Sequence, residues 1–239
     1  MSNKVEISLL ACSGVDSNTR SEVGEVFRQS FLVHGDADRV LDPYFRNVRC
    51  IYVARERSSG PVIGFQFYQE VRVDGKSIHH FSLSGRKDGF RGVQHKFGKH
   101  ALLRALRSAP PWRPIYLAGV TNDPRSYKNM HVIGGRSYPR MCGASENCFG
   151  DWYFSVASRL GMEGLDTRGL VHDRMRKIGF GLREYVIREG SPLLKAYDEY
   201  IGGNRETGVF CLVEVVPLRD LPGYFIRRVM TMLGKRGSW

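Results

Sequence analysis

The most regular alternation of apolar and polar residues in this chain lies between positions 62 and 73. The alternate positions with large apolar side chains are Ile63, Phe65, Phe67, Val71 and Val73. This spacing predicts a long antiparallel strand with one buried face. Asp74-Gly75 follows directly and predicts a type I′ turn, because glycine accepts a positive φ angle. Residues 78–83 are then expected to return as the second strand of a hairpin.

A second regular pattern, with a spacing of four residues, predicts a helix from about Val93 to Ser108. Its buried row is expected to consist of Val93, Phe97, Ala101 and Ala105. Pro110-Pro111 ends this helix, since proline has no backbone N–H group to continue the helical hydrogen bonds.

The other apolar segments are shorter. We predict strands over 5–11, 49–55, 115–120 and 209–216. We predict helices over 17–33, 124–134, 152–160, 168–178, 191–201 and 218–233. The first of these helices is capped by Ser17, Asn18 or Thr19, and Asp42-Pro43 indicates a turn.

These elements predict an α/β (α+β) fold with a mixed, mostly antiparallel central sheet flanked by helices. Residues 1–140 are expected to form the core of the domain. Residues 141–208 are expected to be a helical insertion or cap, and residues 209–239 to add a late strand and a terminal helix.

Composition excludes several classes of protein. The 239 residues are 42% hydrophobic and 25% charged, which is ordinary for a folded chain and unlike a disordered one. No run approaches the roughly 18 apolar residues of a membrane span, so we expect a cytoplasmic protein. The five cysteines are scattered without the spacing of a zinc site, which predicts reduced thiols and no metal.

The charge is strongly positive and unevenly distributed. The formal net charge is +12, and residues 86–107 contain seven basic residues against one acidic residue, which is half of it. Such a balance favours an anionic partner: a phosphorylated cofactor, an acidic carrier protein or nucleic acid.

A glycine-rich basic loop lies in this window, directly before the helix of residues 93–108. Gly85, Gly89 and Gly92 allow a close approach of the backbone to an anion, while Arg91 and Lys96 add positive charge. A helix N-terminus binds phosphate through its unpaired N–H groups. The loop suits a diphosphate, but it matches neither the P-loop nor the dinucleotide-binding fingerprint.

At these residues the sequence resembles the GCN5-related N-acetyltransferase (GNAT) superfamily. Members carry, after a long central strand, a turn of Gln or Arg, two residues, Gly, one residue, and Gly or Ala, which opens a helix that holds the diphosphate of acetyl-CoA. Arg91-Gly92 and the following helix with Ala101-Leu102-Leu103 look like this motif. Residues 115–122 resemble the next strand of the family with its terminal asparagine.

The match leaves two alignments of the motif open. Gln94 and Lys96 stand where the first alignment has glycines, and the second makes Gln94 the leading residue and leaves Gly98 one place out of register. The resemblance implies acetyl-CoA or another acyl-CoA as co-substrate, with no metal. The cofactor-binding residues that it implies are Leu83, Arg91, Gly92, Val93, Gln94, Lys96, Gly98 and Asn122.

The activity implied is that of an N-acyltransferase, in which a bound amine of unknown identity attacks the thioester directly. Such a reaction needs a base or a water relay for the amine proton, and an acid or dipole for the leaving thiolate. His79, His80 and Glu70 on the hairpin are the candidate bases. Tyr127 is the candidate acid.

Two alternatives remain at the level of the sequence. Acyl-homoserine-lactone and N-acyl amino acid synthases share the architecture but take fatty acyl groups from acyl carrier protein, an acidic partner that a basic surface would suit. A non-catalytic nucleic-acid-binding protein could use the basic residues 86–107, but no helix-turn-helix, zinc-finger or RNP signature supports it.

Overall fold

The structure is a computed structural model that describes residues 5–33, 35–90, 92–108, 110–131, 135–141, 146–172, 180–182, 192–204 and 206–222. The strands are β1 (Val5–Ala11), β2 (Phe31–Val33), β3 (Cys50–Glu56), β4 (Val62–Val73), β5 (Lys76–Arg86), β6 (Ile115–Thr121), β7 (Arg136–Tyr138), β8 (Leu170–Val171), β9 (Phe180–Leu182) and β10 (Gly208–Val215). The helices are α1 (Ser17–Ser30), α2 (Ala37–Asn47), α3 (Val93–Ser108), α4 (Pro124–His131), α5 (Asp151–Arg159) and α6 (Pro192–Tyr200). A further helix begins at 217.

Within the described residues the main sheet has eight strands in the order β1-β3-β4-β5-β6-β10-β7, with β8 also paired to β10. Strands β5 and β6 are parallel, and the other neighbours are antiparallel. Strands β2 and β9 form a separate two-stranded sheet. A mixed, mostly antiparallel sheet flanked by helices is thus confirmed.

Strand β4 has the predicted length, but the prediction of one buried face was wrong. Phe65 and Phe67 pack in the cluster that contains the buried side chains of α1 and α2. Ile63 and Tyr68 pack in the cluster that contains those of α3. Since β4 lies between β3 and β5 with helices on both sides, both of its faces are apolar.

The β4–β5 hairpin and helix α3 are confirmed. Asp74 and Gly75 have φ angles of 49° and 74°, as a type I′ turn requires. Helix α3 has the predicted limits, and its row of apolar residues is buried. These two elements frame the part of the chain in which the sequence predicts a diphosphate site.

Three predictions near the N-terminus need correction. Asp16 is the N-cap of α1, because its side chain accepts a hydrogen bond of 2.7 Å from the backbone N–H of Thr19. Helix α1 ends at Ser30, since the next three residues pair with β9. Pro43 lies inside α2 rather than in a turn, because Leu41 and Phe45 anchor that helix in the core.

The later part of the chain agrees only in part. Helices α5 and α6 lie where helices are predicted. The helix over 168–178 is wrong at residues 170–171, which form β8 against β10, and its remainder from 173 lies outside the described residues. Of the predicted terminal helix only the first turns are described, and the predicted end of α4 at residue 134 is not. Among the described residues, no helix has the length and apolar character to cross a membrane.

Candidate functional site

The two parallel strands β5 and β6 pair over a short stretch and then separate. Their pairing runs from Ile78 with Tyr116 to Phe81 with Gly119. Strand β5 then continues for five more residues alongside β4, to Arg86, without a described partner on its β6 side. The carboxyl end of the sheet therefore has an opening between its two central strands.

A β-bulge lies where the opening begins. Opposite β4, the register shifts between Gln66 and Tyr68, so that Ser82 and Leu83 of β5 together face Phe67. The Ser82 hydroxyl donates a hydrogen bond of 3.4 Å to the Phe67 carbonyl oxygen. Bulges bend a strand and increase its twist, which accounts for the turn of β5 away from β6.

The last paired position requires glycine. A Cβ atom on Gly119 would lie 2.8 Å from the carbonyl oxygen of Phe81. At the other end of the opening, the Ser30 hydroxyl lies 2.9 Å from the backbone nitrogen and 3.0 Å from the carbonyl oxygen of Arg86. Helix α1 therefore holds the end of β5 where a neighbouring strand would otherwise bind.

Helix α3 begins beside this opening. Gly92 precedes it with a φ angle of 84°, and its carbonyl accepts from the Lys96 backbone N–H at 3.1 Å. Val93 packs against Gly64, where a Cβ atom would lie 2.7 Å from the Val93 Cγ1 atom. The Gln94 side-chain amide donates to the Ser84 hydroxyl at 3.3 Å. The first turn of α3 is thus fixed directly beside the free part of β5.

The charge at this helix end favours an anion. The first turn of α3 contains no acidic residue, and Lys96 and Lys99 are exposed. The first backbone N–H groups of a helix lack intrahelical partners and form the positive end of its dipole.

The other predicted cofactor residues differ in where they lie. The Leu83 side chain is buried in the cluster of α1 and α2, so only the Leu83 backbone can contact a ligand in the opening. Asn122 directly follows β6 and is 8% exposed. Gly98 lies on an open part of α3, where a Cβ atom would meet nothing within 4 Å. Arg91 lies outside the described residues.

His79 is fully buried on the face of β5 that α3 covers. The Tyr68 hydroxyl lies 2.7 Å from its Nδ1 atom, and Glu70 is its cross-strand neighbour. Burial lowers the pKa of His79, while Glu70 raises it and Arg104 lowers it further. Burial raises the pKa of Tyr68. The phenol and the neutral imidazole therefore share one hydrogen bond at Nδ1, and the Nε2 atom has no hydrogen-bond partner among the described residues.

His80 points to the opposite face, because successive residues of a strand alternate. It is 3% exposed and lies two positions before the bulge. The Gln69 side-chain nitrogen lies 3.2 Å from its Nδ1 atom. Its partner in β6 is Ala118, which is buried in the same cluster as Ile78 and Tyr116.

Tyr127 belongs to a separate cluster formed by α4, α6 and β10. Its hydroxyl donates to the Pro139 carbonyl at 3.0 Å and accepts from the Met141 backbone N–H at 3.0 Å. The hydroxyl is thus bound by the segment that follows β7.

Sequence reasoning missed several residues that shape the opening. They are Ser30, Gly64, Gln69 and Gly119. An isolated glycine in a strand pattern indicates a close approach of two backbones, so Gly64 and Gly119 carried a usable signal. The Asp74-Gly75 turn sets the register that brings Gln69 opposite His80, so Gln69 carried one as well. Ser30 carried none, because its partner Arg86 is distant in the sequence. In the described part of the chain, no group of three or more His, Cys, Asp or Glu residues is placed to hold a metal ion.

No family model and no curated protein matches the chain, whereas 63 chains of solved structures do. One is an IAA acetyltransferase from Bacillus cereus, with 13% identity, a TM-score of 0.45, and 89% of this chain and 100% of that chain covered. A GNAT family N-acetyltransferase from Escherichia coli in complex with CoA has 18% identity, a TM-score of 0.37 and coverages of 54% and 68%.

A third match is a fungal multi-domain β-N-acetylglucosaminidase with a GCN5-related glucosamine N-acetyltransferase region. It has 16% identity and a TM-score of 0.37, and the match covers 49% of this chain and 14% of that one. The word acetyltransferase appears in the name of each of these three proteins.

Proposed function

We propose that this protein is an N-acyltransferase that moves an acyl group, most simply acetyl, from CoA to an amine. One observation carries the proposal: β5 and β6 separate at a bulge, and the glycine-led start of α3 lies directly beside the gap. An anion site and a slot between two strands thus lie side by side. A ligand with a diphosphate and an extended arm requires both.

The diphosphate is assigned to the first turn of α3. There the backbone N–H groups after Gly92 and the Lys96 ammonium supply positive charge. The extended arm is assigned to the gap beside residues 82–85 of β5, which have no described strand partner on the β6 side. This places the thioester near the bulge, close to His80 and Asn122.

In the proposed reaction the amine nitrogen attacks the thioester carbonyl carbon, a C–N bond forms and the C–S bond breaks. The amine proton passes to water at the mouth of the gap. The sulfur leaves as the CoA thiolate and is then protonated from solvent, since a thiolate is a more stable leaving group than an alkoxide. Of the four candidate catalytic residues, we place His80 beside the thioester, because it is nearest in the strand to the bulge.

The test compares two glycines with the same backbone requirement. Gly92 and Gly75 have φ angles of 84° and 74°, and a Cβ atom on either would meet nothing within 4 Å. Gly92→Ala and Gly75→Ala should therefore lose similar stability, about 1–2 kcal/mol of unfolding free energy. Only Gly92→Ala should also weaken CoA binding, by tenfold or more, because it displaces the amides that hold the diphosphate. Calorimetric titration with CoA and urea denaturation measure the two effects.

Two results would contradict the proposal. The first is an unaltered protein that binds neither CoA nor acetyl-CoA at millimolar concentration. The second is equal weakening of CoA binding by both substitutions, which would make Gly92 a structural turn residue only.

A further inference from the structure

The side-chain pair of Gln69 and His80 determines which atom of His80 carries the ring proton. The two residues are cross-strand neighbours on β4 and β5, so their side chains lie on the same face of the sheet. The Gln69 Nε2 atom lies 3.2 Å from the His80 Nδ1 atom, in a partly buried setting. An amide nitrogen only donates, so in a neutral imidazole the Nδ1 atom must accept.

This hydrogen bond leaves the proton of the neutral ring on Nε2. A histidine in that form is a hydrogen-bond donor at Nε2 and cannot accept a proton there. The same residue in the other tautomer would be a base. Gln69 therefore separates two chemical roles of His80 that the sequence alone leaves open.

The position and the burial of His80 fit the donor role. His80 lies two residues before the bulge at which the strands separate, and Ala118 opposite it has a small side chain. When an amine attacks a thioester, negative charge develops on the carbonyl oxygen, and a fixed donor in a site with little water stabilises that charge. The imidazole is 3% exposed, which meets the second condition.

We infer that Gln69 is a positioning residue that holds His80 as an Nε2–H donor to the oxyanion of the tetrahedral intermediate. The inference rests on the proposed acyl transfer for its catalytic part. The tautomer itself is a property of the free protein and does not depend on any activity.

The experiment uses two variants of Gln69, which differ in the hydrogen bond that they can make with Nδ1, and one control variant. Gln69→Glu keeps the shape of the side chain but presents only acceptors to Nδ1, so it should move the ring proton to Nδ1. Gln69→Met keeps the length and removes the hydrogen bond. Gln66→Met, three positions earlier in β4, is the control, since it also removes a strand amide but is paired with Ser84 rather than with His80.

The first readout is the nitrogen-15 chemical shift pair of His80 in the unliganded protein. The unaltered protein should give a protonated Nε2 and an unprotonated Nδ1, and Gln69→Glu should reverse the two. An unaltered protein with its proton on Nδ1 overturns the inference, whatever the enzyme assays show.

The second readout is steady-state kinetics with acetyl-CoA and an amine that the protein accepts. Gln69→Glu should lower kcat by tenfold or more and leave the Kd for CoA within twofold, because the donor acts only on the transition state. Gln66→Met should leave kcat within threefold. A reversed tautomer with unchanged kcat overturns the catalytic part, whereas absent CoA binding in the unaltered protein refutes the proposed function and leaves the tautomer assignment in place.

Discussion

At the scale of single residues, the alternation of side chains along β5 gives its two adjacent, buried histidines different surroundings. His79 lies under α3 and shares a hydrogen bond with Tyr68, while His80 lies on the other face beside Gln69. The sequence pattern places both on one strand and predicts their alternation. The predicted Asp74-Gly75 turn also sets the register that brings Gln69 opposite His80, whereas the contact of Tyr68 with His79 is diagonal across the two strands.

The buried, neutral His79 predicts loss of stability in mild acid. Its pKa in the folded protein is lowered, mainly by burial, whereas an unfolded histidine titrates near 6.5. Below about pH 6.5 the unfolded chain therefore binds a proton that the folded protein does not, and the free energy of unfolding falls until the pH reaches the folded pKa. The slope is at most about 1.4 kcal/mol per pH unit for one proton.

Urea denaturation between pH 7.5 and 5 measures this effect. His79→Gln should reduce the slope of the unfolding free energy against pH by an amount that corresponds to at most one proton. His131, whose pKa is also lowered by burial, should account for part of the slope that remains. His100→Gln, at an exposed position of α3, is the control for replacing a histidine by glutamine. Parallel curves for the unaltered protein and His79→Gln would refute the assignment.

At the scale of elements, one glycine determines how closely α3 approaches the sheet. A Cβ atom on Gly64 of β4 would lie 2.7 Å from the Val93 side chain and 3.3 Å from the Gly85 carbonyl oxygen. Gly98, five residues into α3, faces open space instead. Substitution by alanine is therefore expected to have opposite effects on stability at the two glycines.

Gly64→Ala should lower the free energy of unfolding by about 1–3 kcal/mol, as expected when a packed core receives an extra methyl group. It should also weaken CoA binding, because it shifts the first turn of α3. Gly98→Ala should raise the free energy of unfolding by about 0.5–1 kcal/mol, since alanine favours the helix. Thermal denaturation and CoA titration of both variants are the measurements, and an equally stable Gly64→Ala would show that this contact does not limit the packing.

The elements that sequence reasoning predicted well are those with a long local pattern. The β4–β5 hairpin and α3 have regular spacing and clear end signals, and both are confirmed. Pro43 was misjudged because tertiary packing of Leu41 and Phe45 outweighs the local preference of proline. The second buried face of β4 was missed because it depends on which helices cover the sheet.

The same distinction applies to the candidate site. The glycine loop and the start of α3 are local, and the sequence located them. The bulge at Ser82 and Leu83 and the hold of Ser30 on β5 arise from contacts between distant segments. The division at residues 140 and 208 stays a prediction.

At the scale of the whole molecule, the main sheet consists of two halves that follow each other in the chain. Strands β1, β3, β4 and β5 lie before residue 87, and β6, β7, β8 and β10 lie after residue 114. In the described structure the two halves of this sheet join through the four parallel pairs between Ile78–Phe81 and Tyr116–Gly119. The chain passes from one half to the other through α3 and the loop after it.

This single crossing suggests that the polypeptide can be split. If the gene is interrupted at the exposed Trp112, the pieces 1–112 and 113–239 each retain four contiguous strands of the main sheet. Co-expressed, they should co-elute as a 1:1 complex that regains CoA affinity, because the two pieces meet along the β5–β6 pairs and also along the β2–β9 pairs. Pieces that elute separately would mean that the halves require a continuous backbone. A split pair of this kind would make assembly of the gap, and with it cofactor capture, a matter of protein concentration.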